Sequence, residues 1–193
     1  MSDLALSIVL GIALAAATGF RVFLPMLVVS GAAYTGHLQL DNSFAWLGTA
    51  SALTMLSVAA LAEVAAYYVP VIDNLLDTLA TPAALIAGTI VSAAVMTDVP
   101  PMVKWTAAVI AGAGIAGLTQ GLTGMLRAHS TVLTGGIGNP VIATAELGGA
   151  LLISFLALAA PAAAIALVIL FLLLAIRLLR RLFRGAKSSD SRT

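Results

Sequence analysis

Arg21, Glu63 and Glu146 stand inside long apolar runs of a 193-residue chain, and that placement is what would give them chemistry. A carboxylate set in hydrocarbon takes up a proton or a cation more readily than one in water, because its charged form has lost its solvation. A guanidinium in the same surroundings holds an anionic group or closes on a carboxylate. Arg21 falls near the middle of the first run, where an arginine costs at least ~2.5 to 3.5 kcal/mol unless it finds a partner or water. It is therefore expected to pair with Glu63 or Glu146. A rise of ~1.5 Å per residue puts both carboxylates in the cytoplasmic half of their runs. Arg127, with Asp73 or Asp77, forms an expected inner polar layer below them. The competing reading is that such pairs only hold helix register and carry no solute.

A second place for chemistry is the glycine-rich stretch Gly135, Gly136, Gly138 and Asn139. Its backbone amides precede a helix N-terminus, whose positive dipole end attracts anions such as a phosphate, a carboxylate or a lipid headgroup. The plainer alternative is a turn in which Asn139 caps the helix and Pro140 takes its first position. No Walker-type lysine follows, so nucleotide hydrolysis is not indicated. The chain has two histidines, His37 and His129, expected at opposite membrane faces, and no cysteine. No Ser-His-Asp set or metal cluster is visible, so neither an enzyme nor a bound cofactor is expected.

The elements that must position these residues follow from composition. With 61% hydrophobic and 9% charged residues, and a mean hydropathy of +1.11, the chain has too little polar surface to coat a soluble globule. An all-α, polytopic transmembrane bundle is the expected fold, with about six spans of ~20 residues. The first, Leu4 to Ala33, is overlong and interrupted at Thr18-Gly19-Phe20-Arg21 and Pro25, so it should kink or break there. Trp46 to Val69 is the second, bracketed by Trp46 and Tyr67-Tyr68 as interface anchors. A short amphipathic helix, Val71 to Ala80, precedes a third span that Thr81 caps and Pro82 opens. Met102 to Leu126, Asn139 to Pro161 and Pro161 to Ile176 complete the set. Residues 1–176 form the membrane domain and 177–193 a basic, disordered cytoplasmic tail. That tail places the C-terminus inside, and an even number of spans returns the N-terminus to the same side. Lys104 and the His37 loop then lie outside. Gly11, Ala15 and Gly19 in the first span, with Gly117 and Gly121 in the fourth, predict a close contact between those two helices.

Three spans followed by three admits an inverted repeat, although the similar strings before Glu63 and Glu146 fall at different depths. The motifs Gly19-Phe20-Arg21 with Leu24-Pro25, Asp73-Asn74-Leu75-Leu76-Asp77 with Thr81-Pro82, and Thr134-Gly135-Gly136-Ile137-Gly138-Asn139-Pro140 leading to Glu146 together resemble an uncharacterised bacterial membrane family, domain of unknown function 4126. The resemblance implies a multi-pass protein of the inner membrane and no particular activity. Intramembrane carboxylates beside an arginine favour a small-solute or ion transporter. A lipid-binding or assembly protein with structural ion pairs is the alternative. Lipids are the expected surroundings, glycine faces favour a homodimer, and nothing points to nucleic acid.

Overall fold

The computed structural model describes residues 3–97 and 99–190, leaving out the side chains of Asp3, 70–78 and 182–190. Among these residues all regular structure is helical: α1 (Asp3–Thr18), α2 (Phe23–Tyr34), a 3-10 segment (Asn42–Gly48), α3 (Ala50–Ala66), α4 (Pro70–Ala94), α5 (Pro101–Ala107), a π-helical segment (Ala108–Ala113), α6 (Gly114–Thr134), α7 (Asn139–Ala159) and α8 (Pro161–Asp190). Helix α1 is apolar all round and occupies the centre, packed against α4, α6, α7 and α8. Its residues Ala13 to Ala17 are fully buried. A helix apolar on every side belongs where every side meets protein or lipid.

The longer helices form the outside. Pro101–Thr134, Asn139–Ala159 and Pro161–Arg181 are each long and apolar enough to cross a membrane, and the pair Asn42–Gly48 with Ala50–Ala66, bent by 67°, is a fourth candidate. Large apolar side chains such as Ile110, Val141, Leu152 and Leu173 point outward from them, as lipid-facing positions should. Three or four candidate spans therefore stand where about six were expected. The difference arises because the first expected span is two short helices, separated at Gly19 to Val22, the second contains the bend at Thr49, and the third falls in the short apolar stretch Leu79–Ala94.

The expected amphipathic helix and third span are likewise one helix. Pro70, not Pro82, opens α4, and Pro82 lies within it. Ala80, Ala84, Ala87 and Val91 recur at helical spacing and are buried, so packing of this face carries helical geometry through the proline against local preference. The backbone of α8 also continues through Asp190, so the expected tail begins as an extension of the last helix.

Close helix approach is built on glycine, with partners partly different from those expected. Gly19, just after α1, does meet α6, against Thr119 and the Ala116 carbonyl, but Gly11 packs on Ser92 of α4 and on Met96 just beyond it. Gly88 of α4 faces Ala116 and Gly112, the latter in the π-helical segment, while Gly121 and Gly124 have nothing within 4 Å. A Cβ at Gly88 would sit 2.6 Å from the Ala116 methyl. Gly88→Ala is therefore expected to lower the thermal unfolding midpoint of the detergent-purified protein, by an amount equivalent to about 1–3 kcal/mol. Gly124→Ala should leave that midpoint unchanged or raise it.

Candidate functional site

The break between α1 and α2 creates the site. Thr18 bonds back to the Ala15 carbonyl at 2.7 Å, and the amides of Gly19, Phe20 and Arg21 close a tight turn on Ala16 and Ala17. The first amides of α2 then have no intrahelical acceptor, and Val22 at the cap position offers no side-chain bond. Glu63, arriving from α3, supplies the cap. One carboxylate oxygen accepts from Val22 N–H at 2.7 Å and the other from Phe23 N–H at 3.0 Å. A carboxylate at a helix N-terminus also meets the favourable end of the helix dipole.

Arg21, 1% exposed, turns from this cap toward α7. Its Nη2 donates to the Ala143 carbonyl at 2.8 Å and lies 3.5 Å from Glu146 Oε2. Arg127 of α6 is hydrogen-bonded to the same Glu146 oxygen. Both guanidiniums also lie over the Tyr67 ring, at 3.8 and 4.3 Å from its centroid, the arrangement of a cation–π contact. The centre thus holds two cations on one carboxylate and a second carboxylate, Glu63, with no salt-bridge partner among the described residues. Arg21 Nε and Nη1 have no hydrogen-bond partner among the described residues.

Of the two pairings open to Arg21, the structure takes Glu146. Asp73 and Asp77, the partners expected for Arg127, have side chains outside the described residues; Arg127 itself joins the same centre. The reason is hairpin geometry: Arg127 precedes the α6–α7 turn, and Glu146 follows it, by about two helical turns each, which sets them at equal depth. Tyr67 was expected at the membrane interface with Tyr68 but is 4% exposed. Its spacing of four from Glu63 on α3 is the signal that would have found it. Tyr68 is the outward one, bonded to the Thr144 hydroxyl at 2.9 Å.

The glycine-rich stretch is a turn. Gly135 and Gly136 have positive φ values of 63° and 90°, the left-handed conformation that ends many helices. Gly138 N–H donates to the Thr134 hydroxyl, and Ile137 and Asn139 N–H donate to the Thr134 and Gly136 carbonyls. Asn139 exchanges bonds with Thr131. Those amides are committed within the loop. No group of three His, Asp or Glu side chains among the described residues is placed to hold a metal ion.

Two cavities flank the charged centre. One, of ≈ 440 Å³, is lined by Glu63, Tyr67, Phe23, Ala62 and Ala80 among others. The other, of ≈ 270 Å³, is lined by Glu146, Thr123, Phe20 and Phe171 among others. Away from the centre, Lys104 Nζ meets Asp41 Oδ2 at 2.7 Å, joining α5 to the loop that carries His37.

A family model described as a domain of unknown function, DUF4126, matches residues 8–181. No curated protein and no solved structure matches.

Removing one member of a buried ion set leaves a bare charge, so Glu146→Gln is expected to destabilise the protein by about 3–5 kcal/mol. Adding Arg127→Met should recover part of that loss, measured as thermal midpoints of the single and double variants. The hydrogen bond from Lys104 holds the Asp41 carboxyl below its usual 3.8, against the opposing effect of burial. Its folded value lies below the unfolded one, so the pair's contribution is complete above the usual value and is lost as pH falls through the folded value. Thermal midpoints taken across the acid range should show this loss in the parent and a smaller one in Lys104→Met.

Proposed function

Because the chain belongs to the DUF4126 family, whose description names no activity, we propose from the site alone that it is a membrane permease for a small solute or ion, with Arg21, Glu146 and Arg127 as its working centre. The observation that carries this reading is the broken helix. Its charged hinge lies between two cavities, and each cavity exposes one of the two buried carboxylates. Broken helices whose ends meet charged groups are a recurrent way of building ion and solute sites inside membranes.

Charge balance supplies a mechanism. Arg21, Arg127, Glu63 and Glu146 sum to zero when all are ionised. A proton or cation reaching Glu146 from the smaller cavity cancels the charge that holds both guanidiniums. Of its contacts with α7, Arg21 then keeps the bond to the Ala143 carbonyl, and the α1–α2 hinge that Glu63 ties to α3 is held less firmly. Losing the proton restores the original set. In this reading the chain crosses a cytoplasmic membrane six times: α1–α2 as one broken span, Asn42–Ala66 as a bent one, then α4, α5–α6, α7 and α8. The arginines that end α8 keep that end inside.

One observation favours the non-transporting alternative, a lipid-binding or assembly protein: both Glu63 oxygens are already bonded to backbone amides, as a structural cap would be. Flux of protons and a panel of small ions and solutes into liposomes separates the two. The parent should move at least one of them, and Glu146→Gln, shown folded by its melting curve, should move it about tenfold more slowly or not at all. Absence of flux in the parent, or equal flux in the variant, would sink the permease reading.

A further inference from the structure

We infer that the cavity facing Glu63 is a binding site for an organic ammonium ion with an apolar body. Glu63 is 8% exposed, and the larger cavity is where it is reached. Both guanidiniums of the centre are turned to Glu146 and Tyr67, so of the two central carboxylates Glu63 is the one with no salt-bridge partner among the described residues. Each of its oxygens accepts a single backbone N–H. A carboxylate offers about four acceptor positions, so each oxygen keeps capacity for a further donor.

The rest of the cavity sets the class of ligand. Val22, Phe23, Ala59, Ala62 and Leu79 are among the walls, and among the described residues no lysine or arginine is. At ≈ 440 Å³ it lies in the size range of small-molecule sites, roughly 300–1,000 Å³, and it opens to the surface beside Ala62 and Leu79. Apolar walls suit a hydrocarbon or aromatic body and the carboxylate suits one ammonium head. A phospholipid headgroup fits less well, because its phosphate would find no cation on these walls. A bare metal ion would leave most of the cavity unfilled.

The inference rests on the permease reading only in making the ligand a cargo; binding itself is independent of transport. The test uses the full chain in detergent, with phenethylammonium and the neutral phenethyl alcohol as probes, in calorimetry or ligand-dependent melting. The ammonium is expected to bind about tenfold more tightly than the alcohol. Glu63→Gln should reduce the ammonium to the affinity of the alcohol, and Ala62→Phe, which fills the cavity and leaves Glu63 in place, should abolish binding of both. Equal affinities for the two probes in the parent would overturn the site, as would ammonium binding undiminished in Ala62→Phe. The parent's two affinities and Ala62→Phe decide the matter if Glu63→Gln does not fold. Ammonium binding without flux in liposomes would sink the permease and keep the site; flux without ammonium binding would do the reverse.

Discussion

Two hydrogen bonds from backbone amides to one carboxylate, Val22 and Phe23 to Glu63, make the rest of this architecture tenable. A helix broken in the interior of an apolar bundle leaves amides with no water to satisfy them, at a cost of several kcal/mol each. Glu63 removes that cost and brings a negative charge into the interior. Its charge then has to be balanced in an environment that screens little. Arg21, one residue before the capped amides, provides the nearest balance within the same break.

Arg21 in turn shapes the other side of the molecule. By reaching Ala143 and Glu146 on α7, it ties the break to the α6–α7 hairpin, where Arg127 completes the set. Tyr67 joins both halves, since it caps the end of α3 four residues after Glu63 and lies under both guanidiniums. A substitution at any of these five residues therefore changes the surroundings of the other four, and their effects should not add. The glycine contacts have a complementary role. They bring α1, α4 and α6 close enough at Gly11, Gly19, Gly88 and Gly112 for dispersion to replace the hydrophobic drive that lipid does not provide.

Structural use and working use of this centre are not opposites. A fully balanced set of four charges is stable at rest and sensitive to one added proton or cation, because any single addition leaves net charge in a low-dielectric interior. The cavities on its two sides are where such an addition would arrive. That sensitivity is what separates the centre from the Asp41–Lys104 pair, which sits at a loop and fastens it to α5.

Long apolar runs determined that this chain is helical and suited to a membrane, because a run of about 20 apolar residues satisfies its own backbone groups as a helix, whereas a barrel strand is shorter and alternates. The break at Gly19 to Arg21 was legible from its glycine and arginine, and Arg21, Glu63 and Glu146 were legible as charges that hydrocarbon does not tolerate unaccompanied. The tertiary structure decided the pairing. Residues far apart in sequence, such as Arg21 and Glu146, meet only once helices have chosen neighbours, and neither depth nor spacing specifies that choice. Tyr67 was hidden because a tyrosine beside a second tyrosine reads as an interface anchor until the direction of α3 is known. The number of crossings was obscured for a related reason. Hydropathy measures how apolar a run is, while the breaks at Gly19 to Val22 and at Thr49, and the continuity through Pro82, depend on what each backbone group finds to bond or pack against.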